Sequence, residues 1–169
     1  KKNNCNFFTG VPDSVLKELS KILKNKNKKS HIIATNEGSA VSIGIGSYLR
    51  TKKLPIIYMQ NSGLSNALNP LISIAHSKVY SIPLILVIGW RGAPKLKDEP
   101  QHKVKGEITE QLLKLLNIKY TIIKSNTDLV KFGKQIKIAK KNKSIIACLI
   151  KQDGLEKDNN INTKKDFYN

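Results

Sequence analysis

The chain has 169 residues, 40% hydrophobic and 25% charged, with 30 Lys+Arg against 12 Asp+Glu and a net charge of +18. That length and balance fit one ordinary globular domain that buries a core without staples. No run approaches the roughly 20 apolar residues that span a bilayer, and no apolar signal core follows Lys1-Lys2-Asn3-Asn4. The positive charge is almost all lysine, interleaved with asparagine as in Lys24-Asn25-Lys26-Asn27-Lys28-Lys29, and arginine occurs only at Arg50 and Arg91. With no RNP-type aromatics, zinc-finger spacing or helix-turn-helix beside it, the charge is read as a solvated surface rather than a nucleic-acid interface. Cys5 and Cys148 show no metal-ligand spacing, Cys148 lies in an apolar run, and a reducing cytosol is expected.

The first strand is NFFTG, Asn6 to Gly10, closed by Gly10 and Pro12. Pro12-Asp13-Ser14 supplies a helix start, and Val15, Leu16, Leu19, Ile22 and Leu23 recur at helical spacing behind it. A second strand, His31 to Ala34, stops at Thr35-Asn36-Glu37-Gly38. A helix over roughly 37–50 follows, so rich in Gly and Ser that its propensity is poor. Such a helix makes sense where something packs closely against it. A third strand, 55–59, ends in Gln60-Asn61-Ser62-Gly63, and a helix from Gly63 to His76 is expected to break near Pro70. Pro83 to Gly89, PLILVIG, reads as a strand covered on both faces. The polar stretch from Trp90 to Lys105 reads as a long loop. A helix over 107–116, a strand over 118–123, a helix capped at Asn126-Thr127 and a strand over 144–150 complete the pattern. Six strands alternating with helices predict a doubly wound, three-layer α/β/α domain over 1–150 with a six-stranded, mainly parallel sheet. Residues 151–169 are expected to form a polar linker or tail.

In such a sheet, ligands bind beyond the carboxyl ends of the strands. The first four strand ends release Asp13, Glu37, Asn61-Ser62-Gly63 and Trp90-Arg91-Gly92. Glu37 stands out as a single carboxylate at the mouth of an apolar, small-residue helix. There is no GxxxxGK[ST] loop, Gly44-Ile45-Gly46 does not follow a strand, and His31, His76 and His102 are too scattered for a zinc site. Taken alone, these residues describe a polar pocket with one glutamate and no defined reaction.

The order of Glu37, Gly46-Ser47-Tyr48-Leu49-Arg50-Thr51, a strand, and Asn61-Ser62-Gly63 resembles the pyrimidine-binding domain of thiamine-diphosphate enzymes. Gly10-Val11-Pro12-Asp13-Ser14, Tyr58-Met59-Gln60-Asn61-Ser62-Gly63-Leu64, Ile88-Gly89-Trp90-Arg91-Gly92 and Asp98-Glu99-Pro100-Gln101-His102 narrow this to the phosphonopyruvate decarboxylases, with the sulfopyruvate decarboxylases as near relatives. The resemblance implies that Glu37 hydrogen-bonds the aminopyrimidine of thiamine diphosphate from an apolar surrounding that includes Val41. It also implies that Asn61, Ser62, Gly63 and Asn66 line the cofactor pocket, and that His102 and Asp13 handle protons. Arg91, helped by Trp90 and His102, would receive a small anionic 2-oxo acid; a guanidinium suits a phosphonate or sulfonate. Lys97, Lys103 and Lys105 would add charge. Each position also has a plainer reading. Glu37 suits a helix start, Asp13 and Asn61 suit caps and turns, His102 suits an exposed loop, and Trp90 suits packing at a strand end. The Gly-Asp-Gly…Asn-Asn motif that holds the cofactor's diphosphate through Mg2+ is missing from this sequence. A diphosphate-binding domain or subunit is therefore the expected partner in a homo- or hetero-oligomer, and the chain by itself is not expected to decarboxylate.

Overall fold

The computed structural model describes residues 5–152 and 154–155. Six strands form one sheet: β1 (Phe7–Gly10), β2 (His31–Ile33), β3 (Pro55–Gln60), β4 (Ile85–Trp90), β5 (Lys119–Ile123) and β6 (Ile146–Lys151). Their order is β2-β1-β3-β4-β6-β5, and every pairing is parallel. The sheet is thus wholly parallel, as its near-continuous apolar strands require. β4 sits between β3 and β6, with Ile85, Leu86 and Ile88 buried. β2 is an outer edge, and its Ile32 and Ile33 are 38% and 46% exposed.

Helices cover both faces. On one side α2 (Glu37–Thr51), α3 (Leu64–Pro70) and α4 (Pro100–Leu115) bury Val41, Ile45, Leu64, Ala67 and Leu113 against Ile57, Met59 and Leu86. On the other, α1 (Lys17–Lys24) and α5 (Asn126–Asn142) pack Leu23, Phe132 and Ile136 against Tyr58, Ile85 and Ile146. The chain leaves β1 toward β2 on one side and returns across β1 to β3, so strand order reverses between β1 and β3. That reversal opens a crevice at the carboxyl edge.

Two segments differ from the sequence expectation. The stretch from Trp90 to Lys105 is a loop only over 91–99, because Pro100 occupies the first turn of α4, where its fixed φ and missing N–H cost nothing. Gln101, His102 and Lys103 are therefore helical. The helix expected over 63–76 divides into a 3-10 turn (Asn61–Gly63), α3, and a π-helical turn (Leu71–Ala75). Pro70 ends the α ladder by withholding its N–H, and the wider turn still buries Leu71 and Ala75. β6 extends one residue past the expected boundary at 150, to Lys151. Of the tail expected over 151–169, residue 153 and residues 156–169 lie outside the described residues.

Candidate active site

Glu37 opens α2. Asn36, in extended conformation, caps the helix by accepting from the Ser39 N–H at 2.9 Å, which aims the first turn at the crevice. The Glu37 side chain is half-buried, and its Oε2 accepts from Nδ2 of Asn66 on α3 at 2.9 Å. Opposite, a Cβ on Gly63 would overlap the Glu37 carboxyl, and one on Gly38 would stand 2.8 Å from the Asn66 carbonyl oxygen. Two glycines therefore let α2 and α3 close around one carboxylate. Further along α2, a Cβ on Gly44 would meet the Ile57 side chain at 3.0 Å, so the small residues serve close packing on the sheet as well. Beside Glu37 lies an open groove of about 690 Å³ between α2 and the α3 end, lined by Ile33, Gly38, Ser39, Ser42, Asn66 and Pro70.

Asn61 is not free to line that groove. It is 5% exposed, and its Nδ2 donates to the Arg91 carbonyl and to Thr109 Oγ1, both at 2.9 Å. Its Oδ1 accepts from the Arg91 N–H at 3.1 Å. Asn61 instead ties the end of β3 to the end of β4 and to α4, a structural job that the sequence pattern did not reveal. Ser62 is half-buried, and its hydroxyl accepts from Gln60 Nε2 at 2.9 Å. Of the residues expected around the cofactor, the structure brings Glu37, Gly63 and Asn66 into contact and turns Asn61 inward.

A second cluster forms where β1 and β4 end. Asp13 Oδ2 accepts from the N–H groups of Val15 and Leu16 at 3.1 and 3.3 Å, and it packs where Gly89 has no side chain. Burial pushes the Asp13 carboxyl above its ordinary range, against the pull of those N–H groups and of Arg91. Arg91 is gripped by Asp98: Nε donates at 2.9 Å to Oδ2, and Nη2 donates at 2.5 Å to Oδ1. Asp98 also accepts from the N–H groups of Gly92 and Glu99, at 2.7 and 2.9 Å. Hydrogen bonds from Arg91 hold its carboxyl well below the usual carboxylate range. The guanidinium thus already has one carboxylate partner, and its remaining nitrogen, Nη1, stands 3.4 Å from Ser14 Oγ. Asp98 therefore fixes the Arg91 guanidinium, a role that its place in Asp98-Glu99-Pro100-Gln101-His102 does not disclose.

Trp90, expected at the substrate, is placed elsewhere. It is 2% exposed, its Nε1 donates to the Gly106 carbonyl at 2.9 Å, and the indole has no face open to the crevice. Buried indole N–H groups need such a partner, and here it pins α4 to β4. Gly92, at φ +64°, has no room for a Cβ against the His102 carbonyl, and Gly106 has none against the carbonyl of Gly92. His102 is half-buried in the first turn of α4, with its backbone carbonyl against Gly92.

Thiamine pyrophosphate enzymes, by the profile of their N-terminal TPP binding domain, match residues 1–113. The chain belongs to this family. A phosphonopyruvate decarboxylase of Streptomyces viridochromogenes is 38% identical over 119 residues, which cover 70% of this chain and 29% of that protein. The α subunit of sulfopyruvate decarboxylase from Methanocaldococcus jannaschii is 37% identical over 119 residues, covering 70% of this chain and 68% of that subunit. Among solved structures, the benzoylformate decarboxylase of Polynucleobacter necessarius superposes with a TM-score of 0.67 at 18% identity, over 98% of this chain and 31% of that one. That likeness concerns the fold. The chain spans less than a third of the phosphonopyruvate decarboxylases it matches. Within this thiamine-diphosphate family, the matched region takes in every expected site residue from Asp13 to His102.

Proposed function

We propose that this chain is the pyrimidine-binding half of a thiamine-diphosphate-dependent 2-oxo acid decarboxylase, acting on 3-phosphonopyruvate to release CO2 and phosphonoacetaldehyde. The observation that carries the reading is Glu37: one carboxylate at the carboxyl edge of the sheet, oriented by Asn66, cleared by Gly63, and next in the chain to a groove lined by Gly38, Ser39 and Ser42. That arrangement fits an aminopyrimidine. A flat ring needs a close-approach wall and a carboxyl group in its plane, and Gly38, Ser39 and Ser42 supply the wall without bulk. When bound, thiamine diphosphate supplies the electron sink that takes up the charge of decarboxylation.

The chain's own residues hold and orient. Asn66 fixes Oε2 of Glu37, and the carboxyl so held would hydrogen-bond a nitrogen of the aminopyrimidine. Val41, fully buried one turn along, helps exclude water behind it. Asp13 and His102 move protons on the substrate side, where the raised affinity of Asp13 for its proton suits an acid. Arg91 presents Nη1 to the anionic end of the substrate. The diphosphate and its Mg2+ are held by a diphosphate-binding domain or subunit in a homo- or hetero-oligomer, in the cytoplasm. Residues 1–150 make the pyrimidine-binding domain, and the sheet continues through Lys151 at the end of β6.

The test mixes this chain with a diphosphate-binding polypeptide, thiamine diphosphate and Mg2+, and follows CO2 release from phosphonopyruvate. Activity is expected, and Glu37→Gln is expected to lower it by about 100-fold or more. Undiminished activity in Glu37→Gln overturns the assignment. The identity to sulfopyruvate decarboxylase α subunits supports a second reading with sulfopyruvate as substrate. The two are separated by offering both acids to one preparation.

A further inference from the structure

Thr109 lies within α4, 1% exposed, and does not line the groove beside Glu37. Its hydroxyl has a single proton, which goes to the Lys105 carbonyl one turn back at 2.6 Å. Toward Asn61 that hydroxyl can therefore only accept, and it does so from Nδ2 at 2.9 Å. This settles which way round the Asn61 amide sits. Its Nδ2 also donates to the Arg91 carbonyl at 2.9 Å, and its Oδ1 accepts from the Arg91 N–H at 3.1 Å. Turned over, the amide would set Oδ1 against two acceptors and Nδ2 against a donor, three mismatches at once. Asn61 is also the first residue of the 3-10 turn Asn61–Gly63, and the last, Gly63, sits where a Cβ would run into the Glu37 carboxyl. One short turn thus abuts Glu37 at one end and grips the main chain of Arg91 at the other.

We infer that Thr109 is a positioning residue: through the Asn61 amide it holds the Arg91 main chain in a fixed place relative to Glu37, so that the anionic end of the substrate is anchored at a set distance from the cofactor. The inference rests on the decarboxylase reading and on Arg91 as the residue that receives the substrate's anion. Thr109 touches neither substrate nor cofactor in this role. Asp98 holds the other end of the same side chain, at Nε and Nη2, so Arg91 is fixed at its root by Asn61 and at its tip by Asp98. A second tie keeps α4 on the same strand end, where Trp90 Nε1 donates to the Gly106 carbonyl and Gly106 packs against the carbonyl of Gly92. Because α4 also carries His102 in its first turn, the Thr109 link keeps both substrate-side groups in one frame. An anchor displaced by about 1 Å can cost far more in rate than the single hydrogen bond that held it.

Thr109→Val removes the acceptor and Thr109→Ser keeps it, so the pair isolates the hydroxyl. In the full chain alone, amide hydrogen exchange is followed at Arg91 and at Ile88, which is buried in the same strand. Thr109→Val is expected to speed exchange at Arg91 about fivefold more than at Ile88, the size of one neutral hydrogen bond, and Thr109→Ser to keep the wild-type ratio. With the diphosphate-binding polypeptide, thiamine diphosphate and Mg2+ added, Thr109→Val is expected to raise KM for phosphonopyruvate about fivefold or more. The thiamine diphosphate concentration giving half-maximal activity is expected to stay where it is, because Glu37 keeps its bond from Asn66. A general loss of structure would move both constants together. If the valine methyl crowds the amide and the variant does not fold, Thr109→Ala makes the same comparison. Equal acceleration at Arg91 and Ile88, an unchanged KM in Thr109→Val, or a Thr109→Ser as impaired as Thr109→Val overturns the inference. Absence of turnover in the wild-type mixture overturns the decarboxylase reading instead, and the exchange ratio, which needs no turnover, still decides whether Thr109 holds Arg91.

Discussion

At the scale of single residues, side chains expected at the ligand divide between the crevice and the packing beneath it. Glu37, Asn66 and Gly63 meet at the crevice, while Asn61 and Trp90 spend their polar groups on Arg91, Thr109 and Gly106. Asn61→Ala should therefore act on stability first. It strips partners from the part-buried Arg91 backbone groups and from the buried Thr109 hydroxyl, and a loss of about 2 kcal/mol in denaturant unfolding is expected. An unchanged midpoint would mean that water replaces the amide and that the tie is dispensable. The difference between Asn61 and Glu37 was not visible in the sequence. Both follow strands at turn-type positions, and only the register of β3 against β4 decides that one amide faces the neighbouring loop. The position of Glu37 was legible because a residue that follows a strand and opens a helix falls at the carboxyl edge of a parallel sheet. The burial of Glu18 was not, because an acid three residues before a lysine on a helix reads as an ordinary surface pair.

At the scale of elements, the strands were legible because buried parallel strands are short apolar runs with abrupt polar ends. The start of α4 and the π turn after Pro70 were less so, since proline signals both a loop and a first helical turn. Glycines inside helices make the same point. Gly133 in α5 has nothing within 4 Å of a would-be Cβ, whereas Gly44 in α2 would press on the fully buried Ile57. Gly133→Ala is expected to stabilise by about 0.5–1 kcal/mol through helix propensity. Gly44→Ala is expected to lose that gain and more, because Ile57 must leave its rotamer. Thermal unfolding followed by circular dichroism reads both. Matching shifts for the pair would show that α2 is not seated against the sheet by its small residues.

At the scale of the molecule, acid stability rests on two carboxylates that pull in opposite senses. Arg91 holds the Asp98 carboxyl below its unfolded range near 3.8, so this pair contributes stability above that range and loses it as the pH falls through and below it. Asp13, raised by burial, is ionised at a cost in the folded chain. Its effect is to lower stability as the pH climbs from the unfolded value toward the folded one. Asp98→Asn is expected to flatten the acid limb of a stability–pH curve below about pH 4, while Asp13→Asn should raise the neutral plateau relative to the acid limb. An acid limb unchanged in Asp98→Asn would show that solvent already screens the pair.

The outer strand β2 gives the lysine excess a use. Three residues long and, among the described residues, paired on one side only, it offers backbone groups of Ile33 to a strand from another copy, with Ile32 and Ile33 exposed. The run Lys24-Asn25-Lys26-Asn27-Lys28-Lys29 lies immediately before that edge, so two copies approaching edge to edge bring like charges together. The surface charge then acts as a guard against aggregation, strongest in dilute buffer and relaxed by salt once the Debye length shrinks below the spacing of the two edges.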